Sequence, residues 1–242
     1  MTVLFISDLH LDEKRPDIFR AFLHFLEQDA RRADSLYVLG DLFEAWVGDD
    51  DDSNIALQSV AAFRQLSDSG TELFFMHGNR DFLLGQDFAN QTGGTLLDDP
   101  CTIDLFGIPT LLMHGDSLCT ADTEYQQLRQ QLRSSQWQQQ LLAQPLAARR
   151  ELAQQLRMAS SEATGNKAED IMDVTPDEVV KVLQDHDCTR LIHGHTHRPA
   201  RHQLTVAGKP AERIVLGDWD TNLWYLHASA DGIDLQQRAI AL

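Results

Sequence analysis

The sequence predicts an α/β fold in which a parallel sheet carries helices on its faces and antiparallel strands are added to it. Three features point there: strand-type and helix-type segments alternate through the N-terminal half, short turn-bounded strands follow residue 95, and one long stretch has no strand pattern. The first strand is the apolar run Val3-Leu4-Phe5-Ile6. Pro16-Asp17 then opens a helix, because proline suits the first helical position, and Ile18, Phe19, Phe22, Leu23 and Leu26 recur at helical spacing. Leu36-Tyr37-Val38-Leu39 is a second strand of buried type, about Asn54 to Leu66 a second helix, and Leu73-Phe74-Phe75-Met76 a third strand. This order implies parallel pairing, since parallel strands need a crossover between them. From Thr95 to Met113 short strands alternate with turns at Asp98-Asp99-Pro100 and Gly107. Pro176 begins a further helix with Thr175 and Glu178 as its capping box. Strands at Leu191-Ile192, His202–Val206, Arg213–Leu216 and Leu223–His227 complete the pattern.

Residues 121–172 stand apart. They are rich in Gln, Arg and Leu, with helical spacing in Tyr125, Leu128, Leu132 and again in Leu152 and Leu156, and Pro145 separates two helices. Six bases (Arg129, Arg133, Arg149, Arg150, Arg157, Lys167) and three acids (Glu124, Glu151, Glu162) give 123–167 a net +3 inside a chain of −17. The expected organisation is a core of residues 1–120 and 173–242 with a helical insertion at 121–172.

Composition narrows the partners. With 37 acids against 20 bases the global field repels nucleic acid and anionic surfaces, so no nucleic-acid partner is expected and any phosphate must be held by local chemistry. No apolar run approaches the ~18 residues of a spanning helix, and the N-terminus lacks a basic leader. Three scattered cysteines (Cys101, Cys119, Cys188) give neither a disulfide framework nor a thiolate metal site, which fits the cytoplasm.

The chemistry lies where strands end: Asp8-Leu9-His10, Gly40-Asp41, Gly78-Asn79-Arg80-Asp81, His114-Gly115-Asp116 and Gly194-His195-Thr196-His197. Strand ends gather along one crevice in an open α/β sheet, so these segments can converge. Each alone has a plain structural explanation, as a helix cap, a turn or a packed histidine. Together they offer two carboxylates, an amide and four imidazoles, donors suited to Mn²⁺, Fe²⁺, Co²⁺ or Zn²⁺. Seven ligands exceed the needs of one ion and suit two. A pair of divalent ions clamps a phosphoryl group and lowers the pKa of a water, which makes the reaction class metal-assisted hydrolysis at phosphorus. His77 and His193 are expected to pack or to support ligands, Trp46 and Trp219 to pack, and Glu44 with Asp49–Asp52 to form a solvated loop. Asp116 either orients the His114 loop or does not bear on it.

In order and spacing the five segments resemble the signature of the calcineurin-like metallophosphoesterases. The resemblance implies a sandwich of mixed β-sheets flanked by helices. It also implies one ion on Asp8, His10, Asp41 and His197 and another on Asp41, Asn79, His114 and His195, with Asp41 as the bridge. The family's usual Gly-Asn-His block reads Gly78-Asn79-Arg80 here. Arginine keeps its proton and cannot act as a general acid. An alkoxide leaving group needs a donated proton, whereas a phosphate monoester, with a pKa near 6, does not. Arg80 therefore favours a pyrophosphate substrate, whose charge it can neutralise.

Longer stretches, Phe5–Leu11, Gly40–Trp46, His77–Leu83, His114–Thr120 and Ile192–Pro199, resemble the branch of the family that cleaves UDP-2,3-diacylglucosamine in lipid A synthesis. That resemblance implies water attack on the α-phosphorus, UMP and 2,3-diacylglucosamine 1-phosphate as products, and Mn²⁺ as the metal. It makes the insertion a lid over the lipid, with substrate contacts at Asn79, Arg80, Asp122, Ser160, Thr164, Lys167 and His195; Thr164 stands where related chains can have Asn. Asn79, Arg80 and His195 are the expected catalytic set. The enzyme is expected on the cytoplasmic face of the inner membrane, attached peripherally through the insertion's arginines, with no obligate protein partner. Two alternatives stay open: a phosphoesterase acting on soluble esters, and a non-catalytic scaffold.

Overall fold

A computed structural model describes residues 1–165 and 173–240, with side chains in the first span as far as Ala159. The apolar runs become eleven strands among the described residues. These are β1 (Thr2–Ile6), β2 (Ser35–Leu39), β3 (Glu72–Met76), β4 (Thr95–Leu97), β5 (Cys101–Leu105), β6 (Ile108–Leu112), β7 (Arg190–His193), β8 (Ala200–Val206), β9 (Lys209–Val215), β10 (Asn222–Ser229) and β11 (Gly232–Ala239). The helices are α1 (Pro16–Gln28), α2 (Asn54–Asp68), α3 (Gln86–Thr92), α4 (Thr123–Leu132), α5 (Ser135–Leu142), α6 (Leu146–Gly165) and α7 (Pro176–Asp185). One sheet has the order β11-β10-β1-β2-β3-β4 and the other β5-β6-β7-β9-β8. Parallel pairs run from β1 to β4 and through β6, β7 and β9, and antiparallel strands finish both sheets.

Alternation along the strands builds the layers. On β1, Val3 and Phe5 point between the sheets, where they join Leu39, Met76, Leu112, Ile192 and Ile214, while Leu4 and Ile6 point outward. The outward side is covered by Ile18, Phe22, Phe25 and Leu26 of α1, Phe63 and Leu66 of α2 and Phe88 of α3. On the far side, Val179 and Leu183 of α7 cover Leu111, Leu191 and Ala211 of the second sheet. The result is the expected sandwich of mixed sheets flanked by helices.

Three local expectations change. Thr175 makes no side-chain cap for α7; its hydroxyl accepts from Thr120 Oγ1 at 2.7 Å, and Glu178 accepts from Lys181 at 2.9 Å, so the capping box does not close. The insertion holds three helices within its described part rather than two: Pro145 separates α5 from α6, but Ser134 caps α5 and breaks the chain earlier. Neither α3 nor β11 shows in the sequence pattern. The cap of α3 comes from Asp49, whose carboxylate accepts from Gly85 and Phe88 N–H at 2.9 Å each. β11 is a polar edge strand that owes its form to pairing with β10.

Asp49–Asp52 is only partly the solvated loop expected: Asp50 and Asp52 stay mostly exposed, yet the run is also the ledge on which α6 rests. Arg149, only 4% exposed, pairs with the Asp50 carboxylate, and Arg150 with Asp51 and Asp52. At the other end of the insertion, Asp116 is fully buried and accepts from Tyr125 Oη at 2.7 Å and Arg129 Nε at 2.8 Å, which settles its role as the anchor of α4. Arg133 donates to Gly78 O at 3.0 Å. The described arginines of this segment thus pair with carboxylates of the core, which range from fully buried Asp116 to the exposed Asp50 and Asp52.

Candidate metal centre

The five segments follow β1, β2, β3, β6 and β7 and converge at the C-terminal ends of these parallel strands. The loops after β1 and β2 run on as a zipped pair: Asp8 N–H donates to Gly40 O, His10 N–H to Asp41 O and Leu11 N–H to Leu42 O, at 3.1, 3.0 and 2.9 Å. Asp8, His10, Asp41, His195 and His197 all adopt positive φ, between 49° and 68°. Such backbone is disfavoured for side chains other than glycine, and its concentration in five candidate ligands marks a functional loop set. Glycines let the loops close: a Cβ on Gly78 would lie 2.1 Å from Asp41 Oδ1, and one on Gly194 2.2 Å from Asp8 Oδ2. Asp81 ties the loops together, accepting from Gly78 and Leu42 N–H at 2.7 Å each and from Asp41 N–H at 3.3 Å.

All seven expected ligands meet. His10 Nε2 lies 3.3 Å from His197 Nε2, and His197 Nε2 lies 3.4 Å from Asp8 Oδ1. Asn79 Oδ1 sits 3.0 Å from His114 Nε2 and 2.9 Å from His195 Nδ1. Asp41 spans the two halves, with Oδ2 3.9 Å from His10 Nε2 and Oδ1 3.8 Å from His114 Nε2. Two ligand groups are close enough to hold an ion each, Asp8 with His10 and His197, and Asp8 with Asp41 and His114. Asp8 Oδ1 is buried and has no hydrogen-bond partner, an arrangement that fits an oxygen aimed at a cation.

Residues 1–199 match the calcineurin-like phosphoesterases. The chain belongs to that family. Among curated relatives, a UDP-2,3-diacylglucosamine hydrolase of Cellvibrio japonicus is 57% identical over 236 residues, 98% of each chain. One of Chromohalobacter salexigens is 59% identical over 90% of this chain and 89% of its own, and one of Pseudomonas aeruginosa 55% identical over 96% and 97%. A solved archaeal phosphodiesterase shares the fold at 12% identity, with a TM-score of 0.50 over 99% of both chains.

The electrostatics of this phosphoesterase suit cations. Burial opposes charge on His114, but Asp41, Asp116 and Asp8 overcome it and lift the ring to about 9, so an ion taking Nε2 competes with a proton. Burial also pushes His195 down to about 4, leaving it neutral and ready to ligate. His114 Nδ1 lies 2.9 Å from Leu39 O, which leaves Nε2 to face the centre. His193 is fully buried on β7 with its Nδ1 2.8 Å from Gly194 O, and His77 Nε2 lies 2.6 Å from Leu84 O, so both support loops.

Beside the centre, a cavity of about 350 Å³ lies between core and insertion. Its lining includes Asn79, Arg80 and Asp122, with Phe82, Leu128, Leu132, Leu152 and Leu156. Arg80 holds its N–H on Asp41 Oδ1 at 2.8 Å, and its Nε is buried without a partner. Asp122 caps α4 through Tyr125 N–H at 3.1 Å. The side chains of Ser160 and Thr164, and all of Lys167, lie outside the described residues. Asp81 and Tyr125 escaped the sequence reading as site residues, because their roles appear only once the loops and α4 meet; for Asp81 the signal was its place in the Gly-Asn-Arg-Asp block.

Asp99 gives a test of the ground behind the centre. Both its oxygens are buried without hydrogen-bond partners, and burial, aided by Asp116, pushes it up to about 6. The folded chain then holds this proton more tightly than the unfolded one. Asp99 therefore costs stability as pH rises from about 4 to about 6. Asp99→Asn should flatten that slope and raise stability above pH 6 by up to ~3 kcal/mol, at ~1.4 kcal/mol per pKa unit. Urea midpoints at pH 4.5 and 7.5 measure it; equal changes at both pH values would show that ionisation is not the cause.

Proposed function

We propose that this phosphoesterase hydrolyses the pyrophosphate bond of UDP-2,3-diacylglucosamine by water attack on the α-phosphorus, giving UMP and 2,3-diacylglucosamine 1-phosphate. The observation that carries the reading is the leucine-lined cavity whose wall includes Asn79 and Arg80, so that a site for apolar chains adjoins the candidate metal centre. The names of the full-length relatives support the same substrate.

Two divalent ions, Mn²⁺ by this reading, would be held by Asp8, His10, Asp41 and His197 and by Asp41, Asn79, His114 and His195, supplying Lewis acidity and a water of lowered pKa. Asn79, oriented between His114 and His195, and the guanidinium of Arg80 receive the diphosphate. Arg80 neutralises charge on the leaving phosphate, which departs without a donated proton. Leu128, Leu132, Leu152 and Leu156 take the acyl chains, each buried CH₂ contributing ~0.8 kcal/mol. Asp122, Ser160, Thr164, Lys167 and His195 complete the substrate contacts, and the segment 121–172 is the lid.

No described helix is long and apolar enough to cross a membrane. We place the enzyme in the cytoplasm, peripherally attached to the inner membrane. With its arginines engaged by the core, attachment falls to apolar groups of the insertion, of which Leu142 and Met158 are exposed by 43% and 61%.

The test offers the Mn²⁺-supplemented chain UDP-2,3-diacylglucosamine, UDP-N-acetylglucosamine and p-nitrophenyl phosphate. UMP should be released fastest from the diacyl substrate, and hydrolysis in ¹⁸O-water should label UMP. Equal rates on the two UDP-sugars would remove the lipid from the assignment, and label in the sugar phosphate would move the attack to the other phosphorus.

A further inference from the structure

Glu44 stands between the metal centre and the insertion. The zipped loops after β1 and β2 carry it there: Glu44 N–H donates to Leu11 O at 3.1 Å, one residue beyond His10. Glu44 Oε2 lies 3.1 Å from His10 Nδ1, an ion-pair contact to a buried nitrogen that has no other partner and no aligned hydrogen bond among the described residues, while Oε1 pairs with the guanidinium of Arg157 on α6. The opposite ring nitrogen of His10, Nε2, is the one that faces Asp41 and His197. One carboxylate thus joins a candidate metal ligand to the helix that walls the cavity, and Glu44 and Arg157 both line that cavity.

We propose that Glu44 is a positioning residue that couples occupancy of the ion site containing His10 to the docking of α6. The proposal rests on the metal-centre reading given under Proposed function. A carboxylate on Nδ1–H fixes the tautomer in which Nε2 has its lone pair free, orients the ring and raises its basicity. An ion on Nε2 would in turn polarise the ring and draw Nδ1–H onto the nearby Glu44 carboxylate, which would hold the carboxylate still for Arg157. The side chains of Glu44 and Arg157 are 23% and 30% exposed, so solvent screens this pair less than it would a surface pair. Coupling of this kind is reciprocal: the ion favours a docked α6, and a docked α6 favours the ion.

The two halves of α6 give the proposal a specific signature. Its first turn is fixed by Arg149 and Arg150 on Asp50, Asp51 and Asp52, contacts that do not involve the metal centre. Arg157 lies two turns on and reaches Glu44. Metal-dependent order should therefore appear around residues 152–159 and not around 146–150.

The experiment measures Mn²⁺ binding to the full chain by titration, and amide hydrogen exchange with and without Mn²⁺, for the wild type, Glu44→Ala and Glu44→Gln. In the wild type, Mn²⁺ should slow exchange at 152–159. Glu44→Ala should weaken one of two ions by ~10- to 100-fold, the usual effect of removing such a support, and abolish the metal-dependent protection. Glu44→Gln keeps an oxygen for Nδ1–H but loses the ion pair, so it should bind Mn²⁺ within a few-fold of wild type and still lose the protection. A merely structural role would not separate these two readouts, and the near-isosteric Gln variant keeps the test open should the Ala variant misfold. Wild-type affinity in Glu44→Ala, or wild-type protection in both variants, overturns the coupling while leaving the metal centre intact. A wild-type chain that takes up no Mn²⁺ overturns both.

Discussion

Asp41→Asn is expected to remove both ions together and to lower turnover by more than ~10³-fold, beyond the ~10²–10³ typical of losing one charge-stabilising donor. Asp41 presents one oxygen toward His10 and the other toward His114, so it faces both halves of the centre, as Asp8 does from beneath His197 and beside His114. Asparagine is the informative substitution. It tolerates the φ of 52° that Asp41 adopts, whereas alanine there adds backbone strain, and its carbonyl can still accept from Arg80 N–H. The loss then reports the charge and not the loop. His10→Ala, by contrast, should weaken mainly one ion. Elemental analysis after dialysis against Mn²⁺, with circular dichroism to confirm folding, decides between them; an Asp41→Asn chain that retains one ion at full affinity would refute the bridging role.

Arg80→Ala is expected to slow UDP-2,3-diacylglucosamine hydrolysis by ~10²–10³-fold without loss of thermal stability, and Arg80→His is expected not to rescue it. Arg80 Nε is buried beside the cavity with no hydrogen-bond partner, so removing the side chain breaks no ion pair found among the described residues. Its absence should be felt only when a diphosphate occupies the site. Initial rates and thermal melts of the two variants measure this. Recovery of pyrophosphatase activity in the histidine variant would mean that protonation of the leaving group limits the reaction, and it would return the chain to the mechanism of family members with histidine at that position.

The site was legible in the sequence to the extent that its residues lie at strand ends. Asp8, His10, Asp41, Asn79, His114, His195 and His197 each follow a run of apolar residues that must be a buried strand, and the parallel order of those strands forces their C-terminal ends together. Composition likewise marked the stretch 121–172 as helical, since Leu128, Leu132, Leu152 and Leu156 repeat at helical spacing without strand residues, and α4 to α6 lie there.

What the sequence could not disclose is carried by charges that look alike until they are placed. Asp49–Asp52 reads as a solvated run, and the insertion's arginines read as a surface for lipid headgroups, because local pattern gives a charge no partner. Folding brings Arg149 and Arg150 onto Asp50, Asp51 and Asp52 across about a hundred residues, Arg129 onto buried Asp116, and Arg157 onto Glu44. The helix α3 follows the same logic, with its cap supplied by Asp49 from a different loop. Hydrophobic periodicity is a local property and is written in adjacent residues, so most strands and helices, and the candidate ligands at their ends, could be read directly. Ion pairing is a matter of distance in space, and only the tertiary structure decided which carboxylates pair with the arginines of 121–172 and which one lies beside His10.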